Sequence, residues 1–100
     1  MSFAALIEEE ARLIILRTLA DQPDNRLNSS LLRDDLANRW AINKQRDWVH
    51  LQLDWLAEMG AVKATRIETV VIAELTTRGL DHVERRTVIP GVKKPSPAAV

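Results

Sequence analysis

The sequence predicts a mainly helical α+β domain in which four helices carry one β-hairpin. Three observations predict it. Apolar residues recur at helical spacing in residues 2–20 and 29–39. Residues 44–59 form a third amphipathic segment without Gly or Pro, and Gly60 follows where a left-handed C′ residue is expected. A β-branched run over residues 62–75 comes next, and a helix-turn-helix that leads directly into a hairpin is a winged helix-turn-helix.

A turn and a short strand separate the first two helices. Ser2 can cap the first helix, whose acidic residues precede its basic ones in the order that suits the helix dipole. The segment Asp21–Asn25 contains a proline and predicts a turn. Arg26-Leu27 can then form a short strand that pairs with the hairpin, and Asn28 or Ser29 caps the second helix.

The third and fourth helices flank the hairpin. Asn43 is the expected N-cap of the third helix, and its apolar arc is about twice the usual ~100° stripe, so it is predicted to pack on two sides. A fourth helix is predicted at residues 77–86 with Thr76 as N-cap. Gly79 in its first turn costs about 1 kcal/mol of helix propensity, which predicts close packing of that turn on another helix.

Length and composition restrict the function classes. The 100 residues predict one domain at residues 1–88 and a Pro-rich C-terminal tail at residues 89–100. This tail is either mobile, or its Ile89–Lys94 part contacts phosphate or a partner. The chain has 14 basic and 14 acidic side chains, so positive charge for nucleic acid has to be concentrated locally. No apolar run approaches the ~20 residues of a membrane span and the N-terminus lacks a basic n-region, which predicts a cytoplasmic protein without membrane contact.

The polar side of the third helix and the start of the wing contain the candidate DNA contacts. Basic, amide and imidazole side chains on this helix and on the hairpin, which is the wing of the fold, can reach phosphates and base edges. Three acids on the same helix, Asp47, Asp54 and Glu58, oppose this interpretation, and a simply solvated face is the alternative. The candidate DNA-binding residues are Lys44, Gln45, Arg46, His50, Lys63 and Arg66.

Several apolar residues are candidates for an interface with a partner protein or with a second copy of the chain. Tryptophan is enriched at the energetic centres of protein interfaces, although packing in the core is the competing interpretation. The first helix is also more apolar than one neighbour in a small domain requires. The candidate interface residues are Phe3, Leu6, Trp48, Leu51 and Trp55.

Catalytic and cofactor sites are not expected. The sequence has no cysteine, no nucleophile–base pair and no glycine loop that could cradle phosphate. His50 and His82 lie far apart without ligand spacing, so no metal site is predicted.

Two motifs resemble known winged-helix proteins. The apolar-Glu-x-Gly-x-Val pattern at residues 56–62 and the Leu-Thr-x-x-Gly turn at residues 75–79 resemble the ArsR and MarR regulators. The segment Leu75–Leu80 together with residues 89–95 resembles small winged-helix proteins of Mu-like phages and prophages. The Cys/His sets of ArsR metal sensors are missing, which argues against a metal sensor.

The resemblance implies a winged-helix protein that binds double-stranded DNA. Such a protein would act as a homodimer, either as a transcriptional regulator or as a phage DNA-associated accessory factor. The alternative is a protein-interaction module that kept the fold, does not bind DNA, and recognises a phage or host protein. Zero net charge and the acids of the third helix motivate this alternative.

Overall fold

The element order is that of a winged helix-turn-helix, which confirms the predicted fold class. The computed structural model describes residues 2–97. Three strands form an antiparallel sheet in the order β1-β3-β2. None of the helices described is long and apolar enough to cross a membrane. The elements are α1 (Phe3–Ala20), β1 (Arg26–Asn28), α2 (Ser29–Trp40), α3 (Arg46–Glu58), β2 (Val62–Ile67), β3 (Val70–Leu75) and α4 (Thr77–Val83).

Three of the four helices begin with the caps that the sequence predicts. The side chains of Ser2, Asn28 and Thr76 each accept a hydrogen bond from a backbone amide three residues on, at 2.9–3.1 Å. The start of α3 differs, because this helix begins at Arg46 and its N-cap Gln45 makes no side-chain capping bond. The guanidinium of Arg33 donates to the carbonyl of Lys44 at 2.9 Å, which holds the chain there outside the helix.

The ends of α3 and α4 have the same hydrogen-bond pattern. Gly60, with φ of +77°, donates to Ala57 and the next amide donates to Leu56, as the predicted left-handed C′ residue should. At the end of α4 Arg85 takes the same role with φ of +64°, and the two amides that follow Glu84 donate to the carbonyls of residues 82 and 81. This closure ends α4 at Val83 rather than at residue 86 as predicted.

Gly79 packs against the base of the hairpin, at the residue before β2 and the last residue of β3. The sequence-based expectation was that it packs on another helix. A Cβ atom there would lie 2.3 Å from the carbonyl oxygen of Ala61 and 2.7 Å from a methyl of Leu75. The amide of Thr76 donates to the same Ala61 carbonyl, which brings the two segments together. Glycine is therefore required at this position despite its low helix propensity, because any larger residue would clash with the Ala61 carbonyl.

One hydrophobic core joins all the elements. It contains the apolar face of α1, the inner faces of α2 and α3, the inward residues of the hairpin, and two residues that follow α4. The buried apolar residues are Ala11, Leu13, Ile14, Ile15, Leu16, Leu19, Leu32, Leu36, Val49, Leu53, Leu56, Ala61, Val62, Val71, Ala73, Leu75, Ile89 and Val92.

The first part of the predicted tail belongs to this core. Ile89 is fully buried and Val92 nearly so, so the folded unit extends beyond residue 88. The buried ring of His82 holds the segment in place: its Nδ1 accepts from the amide of Ile89 at 3.0 Å, and its Nε2 bonds the carbonyl of Lys93 at 2.9 Å. Since Nδ1 accepts, the neutral ring has its hydrogen at Nε2, which then donates.

Arg12 of α1 fixes the same segment from the other side. Its guanidinium donates to the carbonyl of Gly91 at 2.9 Å and to the side chain of Gln52 at 2.8 Å. The guanidinium also lies 3.9 Å from the ring centroid of Trp55, and Glu8 accepts a hydrogen bond from Gln52. This network ties α1, α3 and the segment after α4 into one unit.

Candidate nucleic-acid interface

The orientation of α3 decides which of its side chains can meet a partner. At 100° per residue, one side of the helix faces the core and the opposite side faces solvent. The buried residues are Val49, Gln52, Leu53 and Leu56. The exposed line opposite them, which we call the outer ridge, consists of Asp47, Leu51, Asp54 and Glu58.

A groove that is open to solvent runs between the hairpin and the flank of α3 nearest to it. We call it the α3–wing groove. Arg46 and His50 reach it from α3, and Arg66 reaches it from β2. The structure therefore brings together three of the predicted DNA-binding residues, from two elements. The residues lining the groove are Arg46, Asp47, His50, Arg66, Glu68, Thr69, Val70 and Val71.

A second depression adjoins the N-terminus of α3. It is lined by Arg33 of α2 together with Gln45, Arg46 and Asp47. Arg46 lines both depressions, so they form a continuous surface around the first turn of α3. Gln45 thus lies beside the α3–wing groove.

His50 is held in the groove by a side chain from α2. Its Nε2 lies 2.9 Å from the hydroxyl of Ser29, and this buried hydroxyl also accepts from the amide of Val71 at 3.0 Å. The pKa of His50 is lowered from its ordinary value, chiefly because burial disfavours the charged ring and then because Arg66 and Arg46 lie near. The result favours a neutral imidazole, which can both donate and accept a hydrogen bond.

Arg66 makes an ion pair across the groove. Its guanidinium lies 3.1 Å from the carboxylate of Asp54 on α3, with both side chains about half exposed. An exposed pair of this kind contributes little to stability, so Arg66 can exchange Asp54 for another anion at small cost. The pair also offsets the negative charge of Asp54 on the outer ridge.

Lys63 and Lys44 do not line the groove. Side chains alternate along β2, so Val62 and Arg66 lie on one face of the sheet and Lys63 lies on the other. Glu74, the cross-strand partner of Lys63, shares that other face. The ammonium of Lys44 lies 5.4 Å from the ring centroid of Trp48. Lys44 is therefore next to the start of α3, and its ammonium group lies over Trp48 and not in the groove.

The candidate interface residues fall into two groups. Phe3 and Leu6 are 76 % and 48 % exposed and line a cleft at the start of α1. On α3, Leu51 is 64 % exposed, whereas Trp48 and Trp55 are partly buried against the core. The ring of Trp55 is covered by Arg12 and packs against Gly91.

Sequence reasoning missed two residues of this site, Arg33 and Ser29. Arg33 is an exposed arginine of the helix that precedes α3, and its position in the helix-turn-helix was the signal available. In that motif the first helix crosses the DNA backbone. The role of Ser29 in holding His50 had no signal in the sequence, because the two residues are 21 positions apart and meet only in the fold.

Two relatives resemble this chain over most of its length. The protein gp26 of Escherichia phage Mu is 40 % identical over 94 residues, which cover 94 % of this chain and 96 % of that protein. A protein of Haemophilus influenzae is 33 % identical over 81 residues, covering 80 % of this chain and 78 % of the relative. No protein-family model matches. The predicted relation to proteins of Mu-like phages is confirmed, while the narrower likeness to ArsR and MarR regulators stays a prediction.

Two solved structures have a similar fold at low sequence identity. The complex structure of hsRosR-S4 matches with a TM-score of 0.64 and 18 % identity over 75 % of this chain and 64 % of that chain, which is less than two thirds of its length. F93 from STIV, a winged-helix DNA-binding protein, matches with a TM-score of 0.59 and 22 % identity over 74 % of this chain and 79 % of that chain. At these identities the likeness concerns the fold.

Proposed function

The chain belongs to the family of the phage Mu protein gp26, and from that premise we propose that it binds double-stranded DNA through the α3–wing groove. Its role is non-enzymatic, as a transcriptional regulator or a DNA-associated accessory factor of a phage or prophage. The relation to a phage protein and the winged-helix fold support this context. The two arginines that line opposite walls of the α3–wing groove support the choice of DNA as partner.

The observation that carries the proposal is the convergence of Arg46, His50 and Arg66 on one groove. A positive side chain on each wall suits a DNA backbone, which carries a negative charge about every 1.7 Å along the duplex. Within the described part of the chain Arg46 forms no ion pair, so its charge is available to a phosphate. Since Nε2 of His50 is bonded to Ser29, Nδ1 is the ring nitrogen left to bond a phosphate or a base edge.

The shape of the site fits a major groove. The groove of B-DNA is about 12 Å wide and admits a helix such as α3. When the first turn of α3 enters it, Arg33 and Gln45 lie where the backbone passes α2, and Arg66 lies where it passes the wing. Phosphate contacts on both sides would then fix the register of α3 on the bases.

We also propose that two copies pair through the start of α1. Phe3 and Leu6 expose large apolar side chains there, and together with Ile7 they line a cleft bordered by Glu9, Glu10 and Lys93. A second copy would cover this apolar surface. Pairing would present two α3 helices to DNA half-sites about one helical turn apart.

A titration with random duplex DNA at low and moderate salt tests the proposal. Arg46→Ala is expected to weaken binding and to reduce the slope of log affinity against log salt by about 1, because one phosphate contact is lost. Lys63→Ala is the matched control: it removes the same charge from the opposite face of the hairpin and is expected to change neither quantity. Equal effects of the two substitutions would contradict the assignment to the groove, and absence of binding at low salt would contradict DNA binding itself.

The protein-interaction alternative is favoured by one observation, the exposure of Leu51 beside the acids of the outer ridge. This alternative predicts that the wild-type protein does not bind DNA at any salt concentration. The same titration therefore separates the two functions.

A further inference from the structure

The outer ridge is the part of α3 that lies farthest from the core, and its N-terminal half is acidic and apolar. Asp47 and Leu51 stand one helical turn apart, so their side chains are neighbours on the same side of the helix. Leu51 is 64 % exposed although it is a large apolar side chain. A helix built only to attract phosphate would carry neither residue at these positions.

The charges around the ridge separate Asp47 from Asp54. Asp54 is paired with Arg66 at 3.1 Å. Asp47 is exposed and, within residues 2–97, takes part in no ion pair. Asp47 therefore presents a carboxylate with free acceptor positions at the centre of the proposed DNA surface, between the groove and the second depression.

The chemistry of base edges provides partners for both side chains. In the major groove a carboxylate can accept from the N4 amino group of cytosine, and an apolar side chain can contact the C5-methyl group of thymine. Resting on the DNA binding proposed above, we propose that Asp47 reads a cytosine and Leu51 reads a thymine. Neighbours at this helical spacing have Cβ atoms about 5–6 Å apart. One base step is about 3.4 Å, so the two bases lie one or two steps apart.

This arrangement gives the acid a role in selectivity. On DNA without a cytosine at the right place, the carboxylate of Asp47 is desolvated without a donor and repels the phosphates on either side. Arg46 and Arg66 supply attraction to any duplex, and Asp47 lowers the affinity for the wrong ones. The protein is thus expected to distinguish its site clearly while binding random DNA weakly.

Selection of bound sequences from a randomised duplex library tests the inference, using wild type, Asp47→Ala, Leu51→Ala and Asp54→Ala. Wild type is expected to enrich a cytosine and, one or two steps away, a thymine, each preferred by about tenfold. Asp47→Ala should lose the cytosine preference and bind random duplex more tightly, and Leu51→Ala should lose the thymine preference. Asp54→Ala is the matched control, since it removes an acid of the same ridge that lines neither the α3–wing groove nor the second depression, and both base preferences should remain.

The outcomes separate this inference from the proposed function. If wild type binds duplex DNA and depends on Arg46 but shows no cytosine preference, or if Asp47→Ala keeps that preference, base reading by Asp47 is wrong and DNA binding stands. If wild type binds no duplex at low salt, both fall. Tighter binding of random duplex by Asp47→Ala would also show that the variant is folded.

Discussion

At the scale of single residues, His50 is defined by neighbours that are distant in sequence. Ser29 of α2 holds its Nε2, and the hydroxyl of Ser29 is itself positioned by the amide of Val71. Burial of the ring is the largest cause of its lowered pKa, followed by the charges of Arg66 and Arg46, while Asp47 and Asp54 act in the opposite direction. The groove thus places a neutral imidazole between two cations.

This lowered pKa predicts a pH dependence of stability. The folded protein binds the His50 proton less readily than the unfolded chain, whose pKa is about 6.5. The contribution of His50 is therefore present above that pH and is lost as the pH falls through the folded-state pKa. Acidification from neutral pH should destabilise wild type more than His50→Gln, as urea unfolding at a series of pH values would measure. Parallel pH curves for the two proteins would contradict this assignment.

At the scale of elements, helix boundaries follow hydrogen-bond closure more closely than residue pattern. The sequence pattern runs on to residue 86, yet α4 ends at Val83 because Arg85 adopts a left-handed conformation and the chain turns back. Glycine marks the same closure at the end of α3 and is visible in the sequence. An arginine in this conformation gives no such signal.

The segment after α4 acts as an element although it has no regular secondary structure. His82 and Arg12 bond its backbone from two sides, at Ile89, Gly91 and Lys93. These bonds satisfy peptide groups that a strand or helix would otherwise pair. The buried side chains of the segment then complete the core beside α1.

A pair of adjacent substitutions tests the structural role of this segment. Ile89→Ala removes a fully buried side chain and should lower the free energy of unfolding by about 2–5 kcal/mol. Val88→Ala, at a neighbouring position that is 53 % exposed, should change it by less than about 0.5 kcal/mol. Urea denaturation measures both. Small and equal effects would mean that the segment is not packed on the core in solution.

At the scale of the whole molecule, the zero net charge does not show how the charged side chains are distributed or which of them form ion pairs. Several acids are engaged in ion pairs away from the groove: Glu8 with Arg12, Glu10 with Lys93, and Glu74 with Arg26. The α3–wing groove and the second depression together meanwhile contain arginines from three elements, Arg33 of α2, Arg46 of α3 and Arg66 of β2. A net charge therefore says little about local attraction to DNA in this fold.

The proposed dimer is a whole-molecule prediction. Leu6→Ser, at the apolar start of α1, should raise the dimer dissociation constant on the order of tenfold or more if this side chain lies at the centre of the interface. Leu31→Ser is the control, because Leu31 is similarly exposed but lies on α2. Sedimentation equilibrium over a dilution series would measure both. A wild-type protein that is monomeric at every concentration, or equal weakening by the two substitutions, would contradict the proposal.

The sequence by itself determined the elements and their order. Helical and alternating periodicity, the caps Ser2, Asn28 and Thr76, and the C′ residue Gly60 are local signals. Each depends on residues within a few positions of one another. The winged-helix fold was therefore predictable, as were Arg46, His50 and Arg66 as residues of one surface.

Only the tertiary structure decided which side chains share the site and which face away. Lys63 was separated from Arg66 by the alternation of β2 once the register with β3 was set, and Arg33 was added by the crossing of α2 over the start of α3. The burial of Ile89 depended on a buried histidine seven residues earlier and on Arg12, 79 positions from the glycine it bonds. Such contacts join residues that are distant along the chain, and their free energy is gained only after the core has brought them together.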